Sequence, residues 1–310
     1  MSKITISINL CCYNGEKYLD ETLQSIFKQT FKKWELVIIN DGSTDSTEQI
    51  IKQYINQGWP IIYHYQNNEG LPSARNKAIE LSKGEYLAFI DQDDLWLPEK
   101  LEKQVILFDD VNVGLVFSDT IFFNEDGIEK QLYKKKKPPT GLVFREILSE
   151  YFISLETVII RKDALAKLDQ YFNPFFQVIE EYDLFVRLAY HWKVAYVNEV
   201  LAKWRVHEAS STWKEGELFP KEQRIMLKQL DKVIPDFKKN YFNEIKMVKC
   251  TIALTEAIIK WKSGNRKSAR NILWPYFNVS MKFRIIIFFT LFPYSLYKRL
   301  RRLITGFIEP

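Results

Sequence analysis

Cysteine is scarce in this chain: only Cys11, Cys12 and Cys250 occur, and the first two are adjacent inside an apolar run. That set builds no disulfide framework, fits a reducing compartment, and marks Cys11 and Cys12 as small buried hydrophobes rather than ligands. Glycine-rich phosphate loops are also missing. No G-x-G-x-x-G follows the first strand-like run and no G-x-x-x-x-G-K-[ST] occurs, so dinucleotide and P-loop chemistry lose their main support. Asp41–Asp45 lacks the spacing and downstream Glu of an EF-hand loop. Phe283–Tyr297 is strongly apolar, yet Arg284 and Pro293 interrupt it and it falls short of the roughly 20 residues a bilayer span needs. Met1–Thr5 leads straight into a strand pattern without a secretory leader, so a cytoplasmic location is expected. The net charge of +5 is mild, no nucleic-acid motif accompanies it, and no nucleic-acid partner is expected.

What is present is globular material: 46% hydrophobic, 27% charged and 15% aromatic residues over 310 positions. That length accommodates one large α/β domain with an appendage. The chain is organised around Glu85–Trp96, EYLAFIDQDDLW. Tyr86–Ile90 has the length and apolar character of one buried strand, and it ends in Asp91, Asp93 and Asp94. Carboxylates crowded at a buried strand end repel one another and lose hydration, so a positive partner is required. A divalent cation, Mg²⁺ or Mn²⁺, is the simplest one, since both take hard oxygen ligands and leave positions for substrate phosphates. A polar turn ahead of the helix that Pro98 opens is the plainer alternative, but a turn needs one such residue and here there are three.

Ahead of that stretch, short strand and helix patterns alternate. Ile4–Cys12 reads as a strand followed by the turn Tyr13-Asn14-Gly15, and Leu19, Leu23, Ile26 and Phe27 mark a helix face. Trp34–Asn40 is a second buried strand, broken by Asp41-Gly42-Ser43. Asp45 and Glu48 suggest a reciprocal cap for helix Ser46–Gln57. Ile61–Tyr65 is a third strand, and Ser73 is expected to cap a helix to Lys83. This order predicts a mainly parallel sheet with right-handed crossovers and a ligand site beyond the strands' carboxyl ends. Later signals are a helix from Pro98 to Asp109, a strand at Val113–Ser118, a hairpin turning at Glu125-Asp126-Gly127, and an exposed loop Tyr133–Thr140 with a solvated lysine run. Leu155–Arg161 is strand-like, Val178–Ala189 is a helix with Glu180, Glu181 and Asp183 in its first turn, and Val194–Val197 and Val200–Val206 are two further strands.

Taken in order, Tyr13-Asn14, Val37–Asp45, Gly70–Asn76, Gly84–Trp96, Glu180–Arg187 and Arg205–His207 resemble the family 2 nucleotide-sugar glycosyltransferases, which have the GT-A fold and invert the anomeric centre. The resemblance covers roughly the first two thirds of the chain. It implies an α/β fold, a Rossmann-like mainly parallel sheet flanked by helices, with a C-terminal helical extension. It implies that Tyr13, Asn14, Asp41 and Arg75 receive the nucleotide, that Asp91 faces the ribose, and that Asp93 holds Mn²⁺ or Mg²⁺ at the diphosphate. His207 matches a position near the diphosphate and is a second metal candidate, with a structural histidine as the alternative. The general base falls on Glu181, where the family carries aspartate; Asp183 is the competitor. The chemistry suits these types, because a departing diphosphate needs its charge offset and an acceptor hydroxyl needs a positioned carboxylate.

The expected partners are a nucleotide sugar, by resemblance a UDP-sugar, and a saccharide or lipid-linked saccharide acceptor. The expected organisation is a catalytic domain over residues 1–215, with nucleotide binding to about residue 118, and a helical extension over residues 216–310. Residues 281–305 either lie on the inner membrane surface, as the basic flank Lys298–Arg302 suggests, or pack as a core helix. Two other readings compete. An aspartate-nucleophile phosphohydrolase would use FIDQDD, but it needs Gly-Thr after the second Asp, where Asp94-Leu95 stands. A catalytically inactive membrane-bound scaffold would tolerate Glu181 in place of aspartate.

Overall fold

The computed structural model describes residues 5–208 and 215–305, with side chains as far as Leu300, so Arg301 and Arg302 of the expected basic flank lie outside the side-chain description. The chain divides into two compact units, Met1–Ile147 with Tyr151–Val206, and Leu148–Glu150 with His207–Pro310.

The first unit is built on a nine-stranded sheet. Strands β1 (Ile6–Cys12) and β2 (Trp34–Asp41) are buried at every position and mostly apolar, with the buried Ser7 hydroxyl donating to Glu35 between them. With β3 (Ile61–Gln66) and β4 (Tyr86–Asp91) they form a parallel half in the order 3-2-1-4. Helix α1 (Leu19–Phe27) lays Leu19, Leu23 and Ile26 against Ile8, Leu10, Leu36 and Ile38, joined by Ile51 of α2 (Thr47–Asn56). Helix α3 (Leu71–Leu81) covers the opposite face, packing Ala74 and Ala78 on Val37 and Ile39. The small side chains let this helix sit close on the sheet.

Beyond β4 the sheet changes character. The order continues through β8 (Ile159–Arg161), β6 (Val113–Phe123), β9 (Lys193–Arg205) and the two-residue β5 (Leu95–Trp96), with β7 (Glu129–Gln131) paired to β6. β8 is antiparallel to both β4 and β6, β5 is antiparallel to β9, and β6 with β9 is parallel. The sheet is thus mixed: its parallel half carries the alternating strand–helix units, and its other half carries the later strands.

Local structure departs from the sequence expectation at several places, one being Leu155–Arg161, which starts as a 3-10 turn over Leu155–Thr157 and becomes strand only at β8. Glu48 does not close a capping box, since its carboxylate pairs with Lys52 and accepts from the Tyr63 hydroxyl; Asp45 alone takes the Thr47 amide. Ser73 lies inside α3, which starts after Gly70 at φ 89. The two expected strands after Lys193 are one, β9, whose pairing with β6 shifts register near Asp119.

The second unit is helical, with Phe219–Val233, Phe242–Lys262, Arg266–Leu273, Met281–Phe289 and Tyr294–Thr305 as its larger helices. Cys250, Ala257, Trp261, Ala269 and Leu273 form its core with Phe283, Ile286 and Ile287. Among the described residues, no helix is long and apolar enough to cross a membrane.

Candidate active site

In the order 3-2-1-4 the strand order reverses between β1 and β4, the point beyond whose carboxyl ends such sheets take their ligands. Tyr13, Asp41 and Asp91 all stand at that edge. Three loops are locked together there. The Gln92 side-chain amide accepts from the Tyr13 backbone N–H at 3.0 Å and donates to the Tyr13 carbonyl at 3.0 Å, joining the β1 and β4 turns as a ladder pair would. A side chain on Gly15 would place its Cβ 2.1 Å from Gln92 Oε1, so glycine is what lets the loops approach.

Asn14 adopts φ 50, accepts from the Thr44 amide at 2.8 Å, and donates its own N–H to Ser43 Oγ at 3.0 Å. It joins the β1 and β2 loops, while the neighbouring Tyr13 ring is half open to solvent, 49% exposed. Asp41 is buried: it accepts from Gln66 Nε2 at 2.8 Å, from the Glu69 amide at 2.9 Å and from the Gly70 amide at 3.0 Å. Its carboxylate therefore organises the loop into α3.

At the end of β4, the Asp94 amide donates to the Asp91 carbonyl at 3.2 Å, closing a turn with Gln92 and Asp93 at its corners. Asp91 and Asp93 are half-buried, while Asp94 is fully buried, accepts from the Arg205 amide at 2.9 Å and has its pKa pushed well up by burial and by Asp93. Arg205 also donates Nε to the Asp93 carbonyl at 2.8 Å and pairs with Glu21, fixing the turn from β9.

Arg75, on α3, is buried between two carboxylates: Nη2 lies 2.8 Å from Asp91 Oδ1 and Nη1 lies 2.7 Å from Glu180 Oε1. Burial acts to lower its pKa, but Asp91 and Glu180 outweigh it and hold the guanidinium charged. This brings the first turn of α6 (Glu180–His191) to the β4 edge. Glu181 is next in the chain and partly buried, and Tyr151 Oη donates to its Oε1 at 2.9 Å. Burial, then the neighbouring Glu180, pushes the Glu181 carboxyl up to about 8, against the opposing pull of Arg75. Asp183 points into a different set of contacts. It is buried and takes Arg187 Nε at 2.9 Å and Nη2 at 2.7 Å, and that arginine also donates to the Gln170 and Tyr171 carbonyls.

Of the residues expected from sequence, Tyr13, Asn14, Asp41, Arg75, Asp91, Asp93 and Glu181 gather around the β1 and β4 ends. Asp183 lies in its own ion pair, and His207 is the first residue of the longer segment of the second unit. The sequence singles out neither Gln92 nor Tyr151, puts Glu180 in the acidic first turn of its helix, and leaves Arg205 within a motif without a role of its own. Among the described residues, no three His, Cys, Asp or Glu gather as a metal cage. Two carboxylates at an open strand end nevertheless fit Mg²⁺ or Mn²⁺, which keep most of their shell for water and substrate phosphates.

Comparison with known proteins bears on the family and the fold. Residues 7–169 match glycosyl transferase family 2. TuaG of Bacillus subtilis, named for teichuronic acid biosynthesis, is 30% identical over 221 residues, covering 69% of this chain and 85% of TuaG. Escherichia coli WfgD, named a UDP-Glc:α-D-GlcNAc-diphosphoundecaprenol β-1,3-glucosyltransferase, is 25% identical over 215 residues, covering 68% of this chain and 80% of its own. In fold, the chain superposes on S. aureus TarS bound to UDP-GlcNAc with a TM-score of 0.66 at 22% identity, covering 87% of this chain and 79% of TarS. It superposes on the mannosyltransferase PcManGT of Pyrobaculum calidifontis, with GDP-Man and Mn²⁺, with a TM-score of 0.60 at 15% identity, covering 98% and 88%. A matched span running through the β1, β2 and β4 loops, on a GT-A sheet, makes this chain a glycosyltransferase belonging to glycosyl transferase family 2.

Proposed function

We propose that the enzyme moves a hexose or N-acetylhexosamine from a UDP-sugar to a saccharide acceptor, with inversion, during assembly of a cell-surface polysaccharide. The observation that carries this reading is the Arg75 bridge: one buried guanidinium holds Asp91, on the donor side, and Glu180, beside the proposed base. The names of TuaG and WfgD and the UDP-GlcNAc of TarS support the substrate class.

In this reading the Tyr13 ring and the loop organised by Asp41 receive the base, and Asp91 meets the ribose. Asp93 would hold Mn²⁺ or Mg²⁺, which would offset diphosphate charge and orient the leaving group. By the resemblance of Arg205–His207 to the family pattern, His207 is proposed to lie near the diphosphate. Glu181, held by Tyr151, takes the proton of the acceptor hydroxyl. The hydroxyl oxygen bonds to the anomeric carbon from the face opposite the diphosphate, and the bond to the phosphate oxygen breaks with its electron pair leaving on UDP. The proton on Glu181 then passes to solvent. Asp183 is the weaker base candidate because Arg187 already engages its carboxylate.

WfgD's diphosphoundecaprenol acceptor supports a lipid-linked acceptor here, with the enzyme working at the cytoplasmic face of the membrane. The phosphohydrolase reading is disfavoured because the strand-end Asp91 is paired with Arg75. Release of free UDP from a panel of nucleotide sugars, with and without diphospholipid-linked saccharide, tests the proposal; turnover of none of them refutes it.

A further inference from the structure

The second unit carries a charge and surface pattern that sugar transfer does not use. From Ala257 to Ile308 the chain holds eleven Lys and Arg and no Asp or Glu. Helix Met281–Phe289 is apolar on two sides. Phe283, Ile286 and Ile287 face the unit's core, whereas Met281, Ile285 and Phe288, at spacings of four and three, are 66%, 47% and 56% exposed. Leu291 continues the open stripe, and its position is fixed from below. Trp261 Nε1 donates to the Phe292 carbonyl at 2.9 Å, and Arg266 and Arg270 donate to the Leu291 and Thr290 carbonyls. The loop is thus held with its apolar side chains outward. Beside it, a wide cleft of about 710 Å³ is lined by Trp261, Lys262, Arg266, Tyr294, Ser295 and Lys298, with no acidic residue.

An exposed apolar stripe flanked by Lys282 and Arg284 and by a cleft whose charged residues are all cations is not what a solvated face requires. We propose that this face docks on an anionic phospholipid surface, Met281, Ile285, Phe288 and Leu291 entering the headgroup boundary and the cleft seating a lipid phosphate. A nucleic acid would match the charge but leave the apolar stripe in water, and a second copy would bring eleven like charges against eleven. The inference deepens the proposed membrane-side location, and it is tested independently of transfer.

The experiment is co-sedimentation of the full-length protein with phosphatidylcholine vesicles, with and without phosphatidylglycerol, alongside nucleotide-sugar hydrolysis on the same samples. The wild type is expected to bind the anionic vesicles and only weakly the neutral ones. Lys262→Gln with Lys298→Gln should lower anionic binding about 5-fold per cation and leave the neutral binding alone. Ile285→Ser with Phe288→Ser, both at exposed sites, should lower binding to both vesicles; circular dichroism confirms that the variants are folded. Should the serine pair fail to fold, the glutamine pair and the wild type still decide. Equal wild-type binding to both vesicles, or none, overturns the proposal. So does a dimer abolished by the serine pair, or retention of a single-stranded oligonucleotide in preference to lipid. Hydrolysis should be unchanged in both pairs, so loss of lipid binding with hydrolysis intact separates this proposal from the transferase reading.

Discussion

Arg75 and Glu180 stand 105 residues apart in sequence and meet at 2.7 Å, in a site where both side chains are almost wholly buried. Neither charge is tolerable there alone, and Asp91 completes the set on the other amine of the same guanidinium. The pairing decides where α6 begins relative to β4, and so where Glu181 is presented.

Removing that guanidinium should therefore cost stability as well as activity. Arg75→Met leaves Glu180 buried without its partner and should destabilise the first unit by about 3–5 kcal/mol. Thermal unfolding followed by circular dichroism measures this. A melting temperature within a degree of wild type would contradict the bridging role.

The base assignment predicts a split between binding and chemistry. Glu181→Gln should keep UDP affinity near wild type and lower transfer by about 10²–10⁴-fold, since the proposed nucleotide contacts lie at the β1 and β2 loops. Glu181→Asp should retain measurable transfer. Asp183→Asn should act mainly on stability, through loss of the Arg187 clamp. If Asp183→Asn abolishes transfer at unchanged melting temperature while Glu181→Gln does not, Asp183 is the base.

The pH dependence follows from the raised Glu181 pKa of about 8. A carboxyl must be ionised to accept a proton, so transfer should rise with pH through about 8 and the limb should vanish in Glu181→Gln. Tyr151 donates to the ionised form, so Tyr151→Phe should move the limb to higher pH while leaving the plateau in place. The stability sign is opposite. A folded-state pKa above the unfolded value of about 4.3 means the native state holds a proton the unfolded state releases, so wild-type stability should fall between about pH 5 and 8, and less so in Glu181→Gln. Matching pH profiles for wild type and Glu181→Gln would remove the claim.

For the metal, Asp93→Asn should abolish turnover, and excess chelator should silence the wild type until Mn²⁺ or Mg²⁺ is returned. Binding of Mn²⁺ with UDP, read by calorimetry, should weaken in Asp93→Asn. Undiminished turnover in chelator would refute the role.

The parallel half of the sheet was legible because β1, β2 and β4 are buried on both faces and are mostly apolar, with only Ser7, Asn9 and Glu35 breaking the runs before their ends. The site edge was legible because three of those strands end in polar residues. What escaped depends on partners remote in sequence. Glu180 looks like a helix-start acid until Arg75 is placed beside it, and Gln92 carries no signal that it will pair with the Tyr13 backbone. Strand β9 was divided in two because Asn198 and Glu199 are exposed where its pairing with β6 changes register. The C-terminal stretch reads as either core helix or interfacial helix from sequence. One face packs in the unit's core and the other is exposed, a division that depends on which side meets Trp261 and Leu273.

The most direct test of the central claim is UDP release by the purified enzyme from UDP-glucose, UDP-galactose and their N-acetyl counterparts, with Mn²⁺ and a diphospholipid-linked saccharide. Acceptor-stimulated release is expected from at least one UDP-sugar, with a β-linked product from its α-linked donor and a loss of about 10²-fold or more in Glu181→Gln. Release that is indifferent to acceptor and to Glu181→Gln, or a product with the donor's own anomeric configuration, would contradict it.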